Sequence, residues 1–291
     1  MMCSLQAPLR FYDCRETIAP SRLNHTMPSS TNVYRRRRGF AAIIAFALAV
    51  AGIVLAINFA ITGAPPTRAS TEAVFRVEGL GCKRKPTRTV GTVVSEPLNS
   101  AGQLLLTVAH GVVGQERVVA LDRGRQIPLQ IVAVDTEWDL AVLQASSPLR
   151  AENGSPISPV PVAEGRTGHA AFVVFEEISA THEVQVVRPA YVSRRLRITT
   201  EDIYLADLQD RDARPGLEVR TPTYVGDSGG PLFNSNGELI GLVWGTSRKT
   251  AGRSWATRVQ AANSLLETAR VSRDVNSDAP EDALRLLACA P

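Results

Sequence analysis

Three short stretches carry the residues whose types and spacing could do chemistry together. The first is "GDSGGP" at 226–231, a single Ser among three Gly. A serine hydroxyl is a weak nucleophile at neutral pH and needs a base within hydrogen-bond reach. The chain offers four His: His25, His110, His169 and His182. His25 lies ahead of a long apolar run, and His169 and His182 sit near strand ends in the second half, where most such residues are structural or solvated. His110 differs, because it closes the apolar run "LLLTVAH" and Gly111 follows it. That puts an imidazole at a strand end, beside a residue that permits a sharp bend. A lone His in that setting is still more often structural than reactive, so an acid is needed beside it. "DTEWDLAVLQ" at 135–144 supplies a candidate. Asp139 opens an apolar segment that must be buried, and a carboxylate there is costly unless it accepts hydrogen bonds. An imidazole N–H is one natural donor. Asp135, in the adjoining turn, is the alternative acid. An oriented imidazole that takes a hydroxyl proton makes the oxygen a nucleophile toward carbonyl carbon.

These residues need elements to bring them together. From residue 89 onward, short runs rich in Val, Ile and Leu follow one another: "TVGTVVS", "QLLLTVAH", "ERVVALD", "PLQIVAVD", "LAVLQ". "SSPLRAENGSPISP" at 146–159 interrupts them, and then "AAFVVFEE", "HEVQVV", "AYVSRRLRI", "LEVRT", "GPLFN", "ELIGLVWG" and "SWATRV" resume. Short runs between turn residues predict an all-β architecture in two blocks of similar size. "VQAANSLLETARV" at 259–271 sets Val259, Ala262, Leu265, Leu266 and Ala269 at helical spacing. "EDALRLLACA", near the C-terminus, reads as a second short helix after a loop. Residues 62–72, rich in Pro, Ser and Thr, read as a linker.

The formal net charge of +4 does not describe this body. Residues 1–38 hold seven Arg against Asp13 and Glu16, so that tail carries +5 and the remainder −1. Nucleic-acid binding by the body therefore loses its electrostatic support. Residues 40–61 contain Asn58 as their only strongly polar side chain, and 22 residues at about 1.5 Å each span roughly 33 Å. Arg35 to Arg38 flank that run on one side, which predicts a cytoplasmic tail (1–38), a transmembrane helix or signal-anchor (39–61), and an exported body. A cleaved signal peptide, with Met27 as the true start, is the competing reading and also exports the body. The expected location is the inner membrane, with the body on the periplasmic side, or secretion after cleavage. Cys82 and Cys289 are the only two Cys on the outer side, and in an oxidising compartment they read as a disulfide or as two thiols. No spacing fits a metal site.

"TVAH", "DLAVL" and "GDSGGP", in that order, resemble the three active-site segments of the chymotrypsin/trypsin-like serine protease family. His, then Asp, then Ser is also the chain order of that family's triad. The resemblance covers about residues 73–270 and leaves 271–291 as an extension. It implies two six-stranded β-barrels with a C-terminal helix, His110 as base, Asp139 as its orienting acid and Ser228 as nucleophile. It also implies an oxyanion hole from the Gly226 and Ser228 amides, and a protein or peptide substrate with no cofactor and no metal. Pro222 and Thr223, with Trp244, Gly245 and Thr246 opposite, are expected to line the substrate pocket. Pro222 stands where trypsin-type members carry a selecting Asp, so the expectation is a small or apolar substrate side chain.

The matching Asp in much of the family pairs with an amine released by zymogen cleavage. Here "FRVEG" offers a cut between Arg76 and Val77, but it lacks the usual new N-terminus, and a local backbone role for Asp227 is the better-supported expectation. Asp227 and the short segment after residue 270, with no room for a PDZ domain, point away from the Deg-type proteases. The other function classes are a catalytically inactive protease-like scaffold that binds a peptide, and an esterase using the same triad.

Overall fold

The computed structural model describes residues 46, 48–49, 68–81, 85–97, 102–179, 182–198 and 213–274. Twelve strands form two closed antiparallel barrels of six. The first runs in the order β1 (Val74–Leu80), β2 (Thr87–Val93), β3 (Leu104–Thr107), β6 (Leu140–Ala145), β5 (Arg125–Asp135), β4 (Arg117–Asp122). The second runs β10 (Pro231–Phe233), β11 (Leu239–Thr246), β12 (Arg253–Arg258), β9 (Arg214–Arg220), β8 (His182–Ile198), β7 (Gly168–Ser179). Closure removes the free edges around each barrel, while the β7–β8 hairpin extends past it, since β10 meets β7 only at Ala171 and Phe172.

Leu104, Leu105, Leu106, Ile131, Leu140 and Leu143 on strands of the first barrel have no solvent exposure, and their core cluster also takes in Val173, Phe233, Leu239 and Leu242 of the second. Phe172, Leu217, Leu232 and Val243 fill the second. Full burial of one such side chain is worth about 1.5–3 kcal/mol. Val259–Ala262 form a 3₁₀ turn and α2 (Asn263–Asp274) follows, so the expected single helix from 259 begins in a tighter winding. Its Leu266 and Ala269 are buried in the same core as the first barrel, and α2 packs on β5 and β6. The last described element is thereby fastened to the first barrel.

Three differences from the sequence reading have physical reasons. "HEVQVV" and "AYVSRRLRI" are one 17-residue strand, β8, because the Pro189 between them pairs with Ala171 without breaking the ladder. "VFRVEGL" is a strand, β1, paired with β2 and β4 on its two sides, although two charged residues interrupt it. Part of the linker is a five-residue helix, α1 (Arg68–Glu72), held where the buried Ser70 hydroxyl donates to the Gly237 carbonyl at 2.9 Å. Cys82, Cys289 and "EDALRLLACA" lie outside the described residues, as does the apolar run 39–61 apart from helical, exposed Phe46, Leu48 and Ala49. Among the described residues no helix is long and apolar enough to cross a membrane.

Candidate active site

His110 stands in a 3₁₀ turn, Ala109–Gly111, one residue beyond the end of β3 and its follower Val108. Asp139 sits immediately before β6, which pairs with β3, so the two strand ends lie side by side. Asp139 adopts φ +57°, a left-handed conformation that Asp tolerates better than most residues. That turn lets both carboxylate oxygens reach His110. Oδ1 accepts the His110 backbone N–H at 2.9 Å, and Oδ2 lies 2.8 Å from Nδ1. Asp139 is 4% exposed. A carboxylate offers only acceptors, so in the neutral imidazole Nδ1 carries the proton and Nε2 the lone pair. Asp135, the alternative acid, accepts instead from the Trp138 backbone N–H and closes its own turn.

Ser228 comes from the loop before β10, in the other barrel. Its carbonyl accepts from the Val90 backbone N–H at 2.8 Å and from the Thr89 hydroxyl at 2.5 Å, both on β2. Gly229 has φ +82°, and a Cβ there would fall 2.2 Å from the Val90 carbonyl oxygen and under 3 Å from the hydroxyls of Thr107 and Thr89. Only a Gly lets the loop come this close. Gly111 abuts the other side of Thr89, where an added Cβ would lie 2.7 Å from the Thr89 Cβ. Thr89 is thus a common post for the Ser228 loop and the His110 turn. Ser228 Oγ makes no hydrogen bond to the imidazole among the described residues.

The loop's own amides divide into two sets. Those of Asp227, Gly229 and Gly230 donate to the carbonyls of Tyr224, Val243 and Asp227. Those of Gly226 and Ser228 donate to no acceptor among the described residues. Gly226 has φ +95°. Two neighbouring amides without acceptors, flanking a half-buried serine, can receive an anionic oxygen.

Of the residues expected to line a pocket, Pro222 and Thr223 precede this loop, and Trp244, Gly245 and Thr246 lie on β11, whose Val243 carbonyl accepts the Gly229 amide. Thr223 Oγ contacts Ser254 Oγ at 2.6 Å, and Ser254 Oγ in turn donates to the Thr221 carbonyl. Ser254 spends its one proton there, so Thr223 is the donor to it and presents only lone pairs beyond. Gly245 faces open space where a Cβ would stand, and the Thr246 hydroxyl donates to the Arg253 carbonyl. Pro222 is exposed, with its carbonyl accepting from Arg188.

Sequence reasoning missed three arginines. Arg188, on β8, donates through Nη1 to Asp227 Oδ2 at 2.5 Å and lies 4.9 Å from the centre of the Tyr224 ring. Asp227 also accepts the Tyr224 backbone N–H, so the local role expected of it is half of the account. Arg214, 4% exposed, lies 3.6 Å from Asp139 Oδ2, donates to the Trp138 carbonyl and stacks 4.7 Å from the Trp244 ring centre. Arg76, on β1, donates to the Gly226 carbonyl at 2.7 Å. Only Arg76 left a legible signal, as a charge inside an apolar strand that must find partners. His169 packs edge-on to Tyr191, and His182 is exposed, each apart from any acid–base pair.

The family model described as "Trypsin-like peptidase domain" matches residues 90–242, just over half of the chain. The chain belongs to the trypsin-like peptidase family. Among curated relatives, this peptidase is 26% identical over 170 residues to a probable periplasmic serine endoprotease, DegP-like, of Halomonas elongata, covering 57% of the chain and 32% of the relative. It is 29% identical over 173 residues to the mitochondrial serine protease HTRA2 of Drosophila virilis, covering 58% and 38%. The chain thus spans about a third of the length of the curated relatives it matches. In fold it is similar to the active form of the Rv3671c protease of M. tuberculosis, with a TM-score of 0.56, 23% identity, and 70% and 88% of the two chains covered. It is also similar to the HtrA-type protease AlgW with a bound tripeptide, with a TM-score of 0.51, 20% identity, and 73% and 65% covered. Proteases described as DegP-like and HtrA-type are thus among the proteins the chain is similar to, a group that the sequence reading sets aside.

Proposed function

We propose that this trypsin-like peptidase is a serine endopeptidase in which Ser228 is the nucleophile, His110 its base and Asp139 the orienting acid. The observation that carries the reading is the pair of unbonded amides, Gly226 and Ser228, on a loop buttressed by the same Thr89 that backs the His110–Asp139 pair. His110 Nε2 takes the Ser228 proton as Oγ attacks the peptide carbonyl. The carbonyl oxygen, now anionic, lies between the two amides. His110 returns the proton to the amine, the C–N bond breaks, and an acyl-enzyme remains. Water repeats the sequence through the same base and releases the acid. The Ser228–His110 hydrogen bond forms when bound substrate excludes water, as catalytic contacts commonly tighten only in the complex. Pro222, Thr223, Trp244, Gly245 and Thr246 receive the substrate side chain, with a preference for small or apolar groups. Residues 39–61 anchor the chain to the inner membrane and place this domain on the extracytoplasmic side. The relative from H. elongata, described as periplasmic, supports that side.

The test uses the full-length chain and a fluorophosphonate probe that reacts with activated serines. Wild type is expected to label and to cleave fluorescent β-casein, while Ser228→Ala and His110→Ala lose both. A wild-type chain that folds, binds casein and does not label supports the inactive scaffold. Labelling with ester turnover but no peptide cleavage supports the esterase.

A further inference from the structure

Arg76 lies 150 residues from Gly226 in the chain, yet its guanidinium reaches the loop that holds Ser228. The residue is 4% exposed. Nη1 donates to the Gly226 carbonyl at 2.7 Å, Nη2 to the Phe175 carbonyl at 3.2 Å and Nε to Glu183 Oε2 at 2.9 Å. The same group lies 5.0 Å from the centre of the Phe175 ring. A planar fork with every nitrogen engaged has one orientation available to it.

Besides the Tyr224–Asp227 hydrogen bonds and the Arg188 stack on Tyr224, no buried side chain holds the loop on that side. Val225 is fully exposed and Tyr224 is 63% exposed, so neither side chain anchors the backbone in a core. Gly226 itself is the residue with the widest choice of φ and ψ, and it stands at +95°. Fixing its carbonyl fixes the peptide plane after it. With Asp227 held on the following residue, the Gly226 and Ser228 amides are left pointing away from internal acceptors.

We infer that Arg76 is a positioning residue for the two oxyanion-binding amides, so that the uncut chain has them formed without a newly released N-terminal amine. The inference rests on the serine-endopeptidase reading of this site. The Arg76–Val77 bond is no activation cut. Val77 is fully buried and pairs with Thr89 on one side and Ala120 on the other, and cleavage there would detach the clamp itself.

Arg76→Met keeps the stem against Phe175 and removes the fork, Arg76→Lys keeps a charge without the fork, and Arg76→Ala opens a site for added guanidinium. Each full-length variant is compared with wild type in fluorophosphonate labelling rate per folded molecule, casein kcat and KM, and Tm. Expected are a fall of about 10- to 100-fold in labelling rate and kcat for Arg76→Met, the span of one charge-assisted hydrogen bond. KM should stay near wild type, Arg76→Lys should recover part of the rate, and millimolar guanidinium should restore part of it in Arg76→Ala. Variants that lose Tm but label within about twofold of wild type once folded would reduce Arg76 to a structural ion pair and overturn the inference. Failure of wild type to label, against a Ser228→Ala control, would overturn the underlying reading instead.

Discussion

Replacing Arg188 with Met should unmask how much the Ser228 loop depends on a buried ion pair. Asp227 is 2% exposed, and the side chain of Arg188 is 11% exposed. Burial alone would lower the Arg188 pKa, but the hydrogen bonds and charges of Asp227 and Glu176 outweigh it and raise the value above the ordinary one. The arginine is therefore a fixed cation at any working pH. Removing it leaves the Asp227 carboxylate with the Tyr224 amide and no opposite charge. Loss of one member of a buried pair costs about 3–5 kcal/mol, most of it the uncompensated charge. For a domain of about 200 residues that is a Tm fall of roughly 6–20 °C. Asp227→Asn should cost less, because Arg188 keeps the half-exposed Glu176 and Asn can still accept from Tyr224. The double variant Arg188→Met/Asp227→Asn should then be more stable than Arg188→Met alone. Urea unfolding of all four proteins at pH 7, with unchanged m, gives the cycle directly. If Arg188→Met lies within about 1 kcal/mol of wild type, or if the double variant is simply additive, the pair does not hold the loop and the reasoning fails.

Gly229→Ala should destabilise the protein by about 3 kcal/mol or more, since its Cβ would meet the Val90 carbonyl oxygen at 2.2 Å and its φ is +82°. Gly245→Ala, whose Cβ meets nothing within 4 Å, should leave Tm within about 1 °C while changing which peptides are cleaved, read from a peptide-library profile. Arg214→Met should lower casein kcat/KM about tenfold by loosening Asp139 and Trp244 together, with Arg214→Lys recovering part; equal kinetics in all three proteins would remove Arg214 from the site. Burial would raise the Asp122 carboxyl, but hydrogen bonds and charge from Arg123 and Arg125 outweigh it and hold it below the ordinary carboxylate range. A depressed folded-state value means the stabilisation is complete above about pH 4 and is lost as pH falls through the folded value. Asp122→Asn should therefore cost about 1–2 kcal/mol at pH 7 and flatten the acid side of the stability–pH curve below pH 4, both read by urea unfolding.

What could be read without coordinates was whatever chain continuity itself enforces. A serine, the amides beside it and the glycines that let them approach are covalent neighbours, so "GDSGGP" carries its geometry within six residues. His110 and Asp139 each announce themselves at the end of an apolar run, because β3 and β6 must be buried to close a barrel. The two blocks of short Val- and Leu-rich runs became the two barrels for the same reason. The supports were illegible because nothing local marks them. Arg188 lies in "VQVVRPAYVSRRLRI", a strand with alternate positions in solvent, where one inward-reaching arginine looks like its outward neighbours. Arg214 is useful only because β9 begins where Trp138 and Trp244 end, and Arg76 only because β1 passes the tip of β7 and β8. Those meetings are set by register between strands and loops distant along the chain, and a one-residue slip would send each guanidinium to the opposite face. The three arginines share one consequence. Each places a guanidinium within reach of a backbone carbonyl, a carboxylate or both, close to the proposed reacting groups. The motif therefore names the chemistry, while the arginines decide how firmly its backbone is held, and substitutions at these three positions separate the two.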